Sequence, residues 1–196
     1  MMFNGIRVFD TILNSRNTKD TVSRNSADFW KVYCQASGWQ FSHERLHSLA
    51  DFKYFMSRKI KEDVIIFSGH GSDGKEAEEG FHFSNGDVFF GQEDVKIHAK
   101  NYGKIVIFSS CLIGKNKVLS EALKDSFNAK ALFAYKHLML DKYCFLNESI
   151  LLSAIEHQFE RGKSFTKNTF NGFLSNTEFL KNMNEKGVRS HPMAMY

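Results

Sequence analysis

Two side chains with reactive chemistry close two closely matching runs of the sequence. Asp63-Val-Ile-Ile-Phe-Ser-Gly-His70-Gly71 delivers a histidine, and Lys104-Ile-Val-Ile-Phe-Ser-Ser-Cys111 delivers a cysteine 41 residues later. A thiol becomes a good nucleophile where a neighbouring base or positive charge favours the thiolate, and it attacks a carbonyl productively where donors wait for the oxyanion. His70 and Cys111 meet the first requirement. Backbone N–H groups of Gly71 and Cys111 are the candidates for the second, because a glycine lets the chain turn with no side chain in the way. The chemistry these residues suit is acyl transfer through a thioester, and it requires no cofactor.

Both runs are short, β-branched and aromatic, which predicts strands buried on both faces of a parallel sheet. Strands of that kind bring their last residues to the carboxyl edge, where open α/β sheets place their ligand sites. The rest of the chain reads as the frame for that edge. Ile6 to Leu13 forms a first strand, residues 14–25 a polar loop, and Ser26 caps a helix whose Phe29, Trp30, Tyr33 and Ala36 recur at helical spacing until Gly38. Trp39-Gln-Phe41 begins a second strand, and Leu46, Leu49, Phe52 and Met56 outline a second helix. Asn85-Gly86 between alternating apolar residues signals a hairpin. Residues 92–101 are expected to be helical, as is the stretch carrying Leu119, Ala122, Leu123 and Phe127; Ala131 to Tyr135 is a further strand. Asn147 is expected to cap a long helix that Gly162 closes, and residues beyond 176 carry too little periodicity to assign. Strands alternating with helices imply right-handed crossovers, a mostly parallel sheet and helices on both faces.

Composition narrows the function. With 196 residues, 42% of them apolar and 20 of them Phe, the chain is long and greasy enough to form one globular domain over its whole length. The net charge of +4 comes from basic residues scattered among 22 acidic ones, so no nucleic-acid stripe is expected. No apolar run reaches the ~20 residues that cross a bilayer, and Met-Met-Phe-Asn-Gly lacks the pattern of a secretory leader. Three cysteines without paired spacing predict reduced thiols rather than a disulfide framework, and hence a cytoplasmic protein.

At its two reactive runs the sequence resembles the caspase and metacaspase clan of cysteine peptidases, whose pattern is a buried strand ending in His-Gly and a later one ending in Cys. Phe67-Ser-Gly-His-Gly71 is especially similar to the metacaspase histidine motif. The resemblance implies a caspase-like three-layer α/β/α sandwich with a small β-hairpin flap, and a cysteine endopeptidase acting on protein or peptide substrates. It further implies His70 and Cys111 as catalytic dyad, with Gly71 and Cys111 as oxyanion donors. Stand-alone relatives suggest a role in stress or defence, regulated by an activating protein or small molecule. The nucleophile motif departs from the family: Ser109-Ser110-Cys111-Leu112-Ile113 carries serine where metacaspases have an acidic residue, which leaves specificity open. Substrate-binding candidates are Ser109, Arg24 and Lys136, with Arg16 and Lys142 as further basic residues for an acidic side chain.

Two other readings come from the residues themselves. The same fold without activity would serve as a peptide-binding module. His43-Glu44-Arg45-Leu46-His47 matches a helical zinc motif in which the glutamate activates water, with Glu62 as third ligand; charged Arg45 and polar flanks favour instead an exposed helix start. Cys34 and Cys144 read as core residues, His82 and His98 as residues near the flap, and Asp73 and Asp87 as residues of the rim.

Overall fold

In the computed structural model, which describes residues 3–11, 26–75 and 78–196, the two reactive runs are adjacent strands. Val64–Ser68 (β3) and Ile105–Ser109 (β7) pair in parallel, Val64 opposite Ile105 and Ser68 opposite Ser109. Every residue of both is buried, which is what the unbroken apolar run anticipates for a strand covered on both faces. Gly5–Asp10 (β1) and Gln40–Arg45 (β2) extend the sheet on one side, and Ala131–Tyr135 (β8) and Met193–Met195 (β9) on the other. The order is β2-β1-β3-β7-β8-β9, parallel throughout except for the antiparallel pairing of β9 with β8.

Alternate side chains of the strands feed two separate cores. Ile6, Val8, Ile66, Ile107 and Phe133 pack on one face with residues of Ser26–Ser37 (α1), Asp141–Glu160 (α4) and Lys167–Asn176 (α5). Phe9, Ile65, Phe67, Val106 and Phe108 pack on the other with Leu49–Met56 (α2) and Lys117–Ser126 (α3). This is the expected three-layer α/β/α sandwich. The second core is built from phenylalanine: Phe67 and Phe108, partners in register, stack at 5.1 Å, and Phe52 and Phe127 lie 5.5 and 5.4 Å from Phe67. Each such ring contributes on the order of 1.5–3 kcal/mol by burial. Phe67 and Phe108 each stand three residues before the reactive side chains, so the ends of β3 and β7 are anchored in this aromatic core.

A second, three-stranded antiparallel sheet of His70–Ser72 (β4), Gly80–His82 (β5) and Val88–Phe89 (β6) covers this core with Phe81, Phe83 and Phe89. Asn85 and Gly86, with Gly86 at φ +96°, make the turn between β5 and β6, as the sequence anticipates. The flap is larger than a hairpin because β4 joins it.

Four local expectations are corrected. Strand β1 ends at Asp10. Residues 92–101 are irregular apart from a single 3-10 turn at Ala99–Asn101; the Glu93 carboxylate and His98 ring bond to nearby backbone N–H groups instead of leaving them for a helical ladder. Helix α4 begins at Asp141, two turns before Asn147; Asn147 is buried within it and donates to the Tyr143 carbonyl, 2.7 Å away. The fourth concerns residues 43–47. His43, Glu44 and Arg45 lie on β2, and His47 lies in the loop before α2. Neighbouring strand residues point to opposite faces, so the helical i, i+4 geometry of a zinc motif is lost. His43 Nε2 lies 3.0 Å from Asp10, Glu44 faces Arg7 at 3.6 Å, and His47 bonds to Ser84. Glu62 is held by Ser42 and Arg7. Arg7 and Asp10, absent from the sequence-level reading, decide the matter.

Candidate active site

The register that joins β3 to β7 sets the level of the two reactive residues. Pairing runs to Ser68 and Ser109, and the Gly69 N–H still donates to the Ser109 carbonyl at 3.3 Å. His70 and Cys111 each follow two residues past this registered pair, on chains that start from a strand separation of about 4.8 Å. Both are half-buried at the carboxyl edge. Beyond this point the backbones part: His70 opens β4 and stands directly opposite His82 of β5, whereas the chain after Cys111 turns back at once.

Gly71 lies hard against the backbone of Cys111. A Cβ built on it would meet the Cys111 carbonyl oxygen at 2.5 Å and Ile113 Cγ1 at 2.7 Å. Its φ is not positive, so glycine is required here by close approach and not by backbone conformation. The turn after Cys111 is tight. The Ile113 N–H donates to the Cys111 carbonyl at 2.8 Å, and Leu112 between them adopts a left-handed φ of +65°. A non-glycine residue in that region carries about 1–2 kcal/mol of strain, and strain of this type concentrates at functional sites.

The sulfur has a backbone partner that no sequence signal announces. The Met139 N–H donates to Cys111 Sγ at 3.3 Å, with the Met139 carbonyl 3.9 Å from the same atom. Met139 immediately precedes Leu140, the N-cap of the twenty-residue α4, so the sulfur lies near the positive end of that helix. Cys34 and Cys144 are fully buried, and burial pushes the Cys34 thiol up to about 12. They are core residues, as their surroundings in the sequence suggest.

The remaining candidates separate. Ser109 is the last residue of β7 and only 1% exposed. Arg16 and Arg24 lie outside the described residues. Lys142 is exposed on the first turn of α4, its ammonium 5.0 Å from the Tyr143 ring. His98 caps the 3-10 turn before β7, and Asp87 bonds to Asn85 and to the Leu49 N–H at the flap turn. Asp73 pairs with Lys115 at 2.8 Å, and the Lys115 ammonium holds its carboxyl below the usual range. Lys136 lies just past β8 on a cleft of about 570 Å³ that also takes in Leu112, Lys115 and His137. Burial pushes its ammonium below the ordinary lysine value. Arg45, read from the sequence only as a charge within the His43–His47 motif, ends β2 at this same sheet edge and is clamped by Asp10 at 3.0 Å. Among the described residues no cluster of three or more metal-ligating side chains forms, and no helix is long and apolar enough to cross a membrane.

No family model matches the sequence, and no curated protein matches it. Comparison with solved structures does find likeness. The crystal structure of the Drosophila initiator caspase Dronc superposes with a TM-score of 0.52 at 12% sequence identity, covering 100% of this chain and 80% of that one. An identity so low speaks for architecture alone, and the architecture is that of a caspase.

Proposed function

We propose that this chain is a cysteine endopeptidase in which Cys111 is the nucleophile and His70 the proton-transfer partner. One observation supports the reading: Ser68 and Ser109 are a registered pair at the ends of adjacent strands, and a histidine and a cysteine each follow two residues later at the carboxyl edge, where α/β sheets bind their ligands. In the proposed reaction the Cys111 thiolate attacks the scissile carbonyl carbon, and the carbonyl electron pair moves to oxygen. N–H groups of Gly71 and Cys111 receive that oxyanion. Collapse of the tetrahedral intermediate breaks the C–N bond, and His70 in its protonated form gives the leaving amine its proton. Water, deprotonated by His70, then releases the peptide acid from the thioester and restores the thiol. The Met139 N–H donates to the sulfur at 3.3 Å and fixes its position at the sheet edge.

The test is profiling with a peptide library. Cleavage is expected from the wild-type chain, and Cys111→Ala and His70→Ala are each expected to abolish it while circular dichroism and Tm remain those of a folded protein. Cleavage retained by the Cys111 variant would overturn the assignment. His43→Ala and His47→Ala should cut at the wild-type rate, which separates this reading from a zinc peptidase.

A further inference from the structure

The cleft beside the Cys111 turn has a charge pattern that the proposed acyl transfer between Cys111 and His70 does not require. Neither His70 nor Cys111 lines it; its walls come from the turn after Cys111, the segment after β8 and residues 184–190. Among the described residues, four lysines line it, Lys75, Lys115, Lys136 and Lys186, with one carboxylate, Asp73. Asp73 is already engaged by Lys115 at 2.8 Å. Lys136 has lost part of its hydration, and burial together with the positive charges of Lys136 and Lys115 pushes the His137 imidazole below its ordinary value. The cleft is therefore a partly dehydrated region of excess positive charge.

Its shape is held by specific bonds. His137 Nε2 meets Ser190 Oγ at 2.6 Å, the Glu185 N–H donates to the Leu138 carbonyl at 2.9 Å, and the Lys136 N–H donates to the Pro192 carbonyl at 2.7 Å. Asn184 bridges its own loop through both side-chain atoms, each at 2.9 Å from Val188 backbone. These contacts seat residues 184–192 on the end of β8 as a fixed wall. Leu112, Leu138, Val188 and Tyr196 add apolar surface to the lining.

We infer that this cleft binds a small phosphorylated molecule, with its phosphate groups on Lys136, Lys186 and Lys75 and its organic part against Leu138, Val188 and Tyr196. A phosphate carries nearly two negative charges and accepts from several directions. Ammonium groups, compact point charges without a fixed fork, match it from around a cavity. Among the described residues Lys115 is the one of the four with a carboxylate ion pair, so a ligand with a single carboxylate would match only one of the other three. At about 570 Å³, the volume lies within the range typical of small-molecule sites. The inference does not depend on Cys111 being a nucleophile.

Calorimetric titration of the full chain with ADP, pyrophosphate, inorganic phosphate and a tetraglutamate peptide tests it. ADP is expected to bind, pyrophosphate more weakly and inorganic phosphate more weakly again. Lys136→Gln and the exposed Lys186→Gln should each weaken ADP by about tenfold, equivalent to ~1.4 kcal/mol. The Lys186 side chain lies at the surface, so that variant keeps the test valid if the Lys136 variant fails to fold. Absence of any phosphate binding at millimolar ligand, affinity unchanged in both variants, or tetraglutamate binding more tightly than ADP would each overturn the proposal.

Discussion

Gly71 is separated from the Cys111 carbonyl by less than a methyl group's room: a Cβ at position 71 would lie 2.5 Å from that oxygen. The carbonyl cannot retreat freely, because it accepts the Ile113 N–H at 2.8 Å. Gly71→Ala is therefore expected to push the Cys111 turn away from β4. Overpacking of this kind costs about 1–3 kcal/mol, and a shift near 1 Å at a reacting centre costs about a hundredfold in rate. Chemical denaturation and kcat/KM on a peptide cleaved by the wild type measure the two effects. A fully active, equally stable alanine variant would show that the two chains are not in contact.

The three cysteines should divide sharply in reactivity. Cys111 is half-buried at the sheet edge, whereas Cys34 and Cys144 are fully enclosed, and burial drives the Cys34 thiol up to about 12. Because the thiolate is the reacting form, iodoacetamide should modify Cys111 alone in the native protein and all three after denaturation. Peptide mapping by mass spectrometry distinguishes the sites. Native modification of Cys34 at a rate comparable to Cys111 would contradict this packing.

How far this site could be read in advance depends on the range of the interaction involved. His70 and Cys111 were legible because each ends an apolar run, and the runs themselves declare buried strands. The level of the two residues was not, since register follows from Val64 meeting Ile105 and Phe67 stacking on Phe108, which are contacts between segments 41 residues apart. The Met139 N–H on the sulfur is a backbone contact and leaves no trace in residue type. Residues 43–47 misled in the opposite direction. Their side chains copy a helical motif, but pairing of Val8 with His43 and Asp10 with Arg45 keeps them extended. Asn147 misled because asparagine is a good cap in isolation, whereas here α4 continues through it with its side chain bonded back to Tyr143.

Leu112 offers a way to measure strain next to Cys111. Its φ of +65° suits glycine or asparagine better than leucine. Leu112→Asn should be neutral or stabilising, with relief of up to about 1 kcal/mol offsetting lost apolar contact, whereas Leu112→Val should destabilise by about 1–2 kcal/mol because a β-branched residue fits this region worst. Urea denaturation of the three proteins gives the order directly. If valine is tolerated as well as asparagine, the left-handed turn after Cys111 is not maintained in solution.

His191 predicts an acid limb in the stability of the fold. It is 5% exposed; Nδ1 accepts the Met193 N–H at 3.3 Å, which places the ring proton on Nε2, facing Thr177 Oγ1 at 3.3 Å. Burial, aided by the positive charge of Lys136, depresses its pKa from 6.5 to about 4. The folded state thus holds a neutral ring where the unfolded chain is already protonated. Above pH 6.5 neither state binds the proton and the fold keeps its full stability. As pH falls from 6.5 towards 4 the unfolded chain takes up the proton first, and stability drops by about 3 kcal/mol before levelling off. His191→Gln, which can retain a hydrogen bond to Thr177 but cannot titrate, should remove most of this slope between pH 6.5 and 4. Urea titrations at half-unit pH intervals test it, and an identical slope in the wild type and the variant would assign the acid sensitivity to other groups. The loss should also be cooperative with the edge of the sheet, because Met193, whose N–H the ring accepts, is the residue that pairs with Tyr135 of β8.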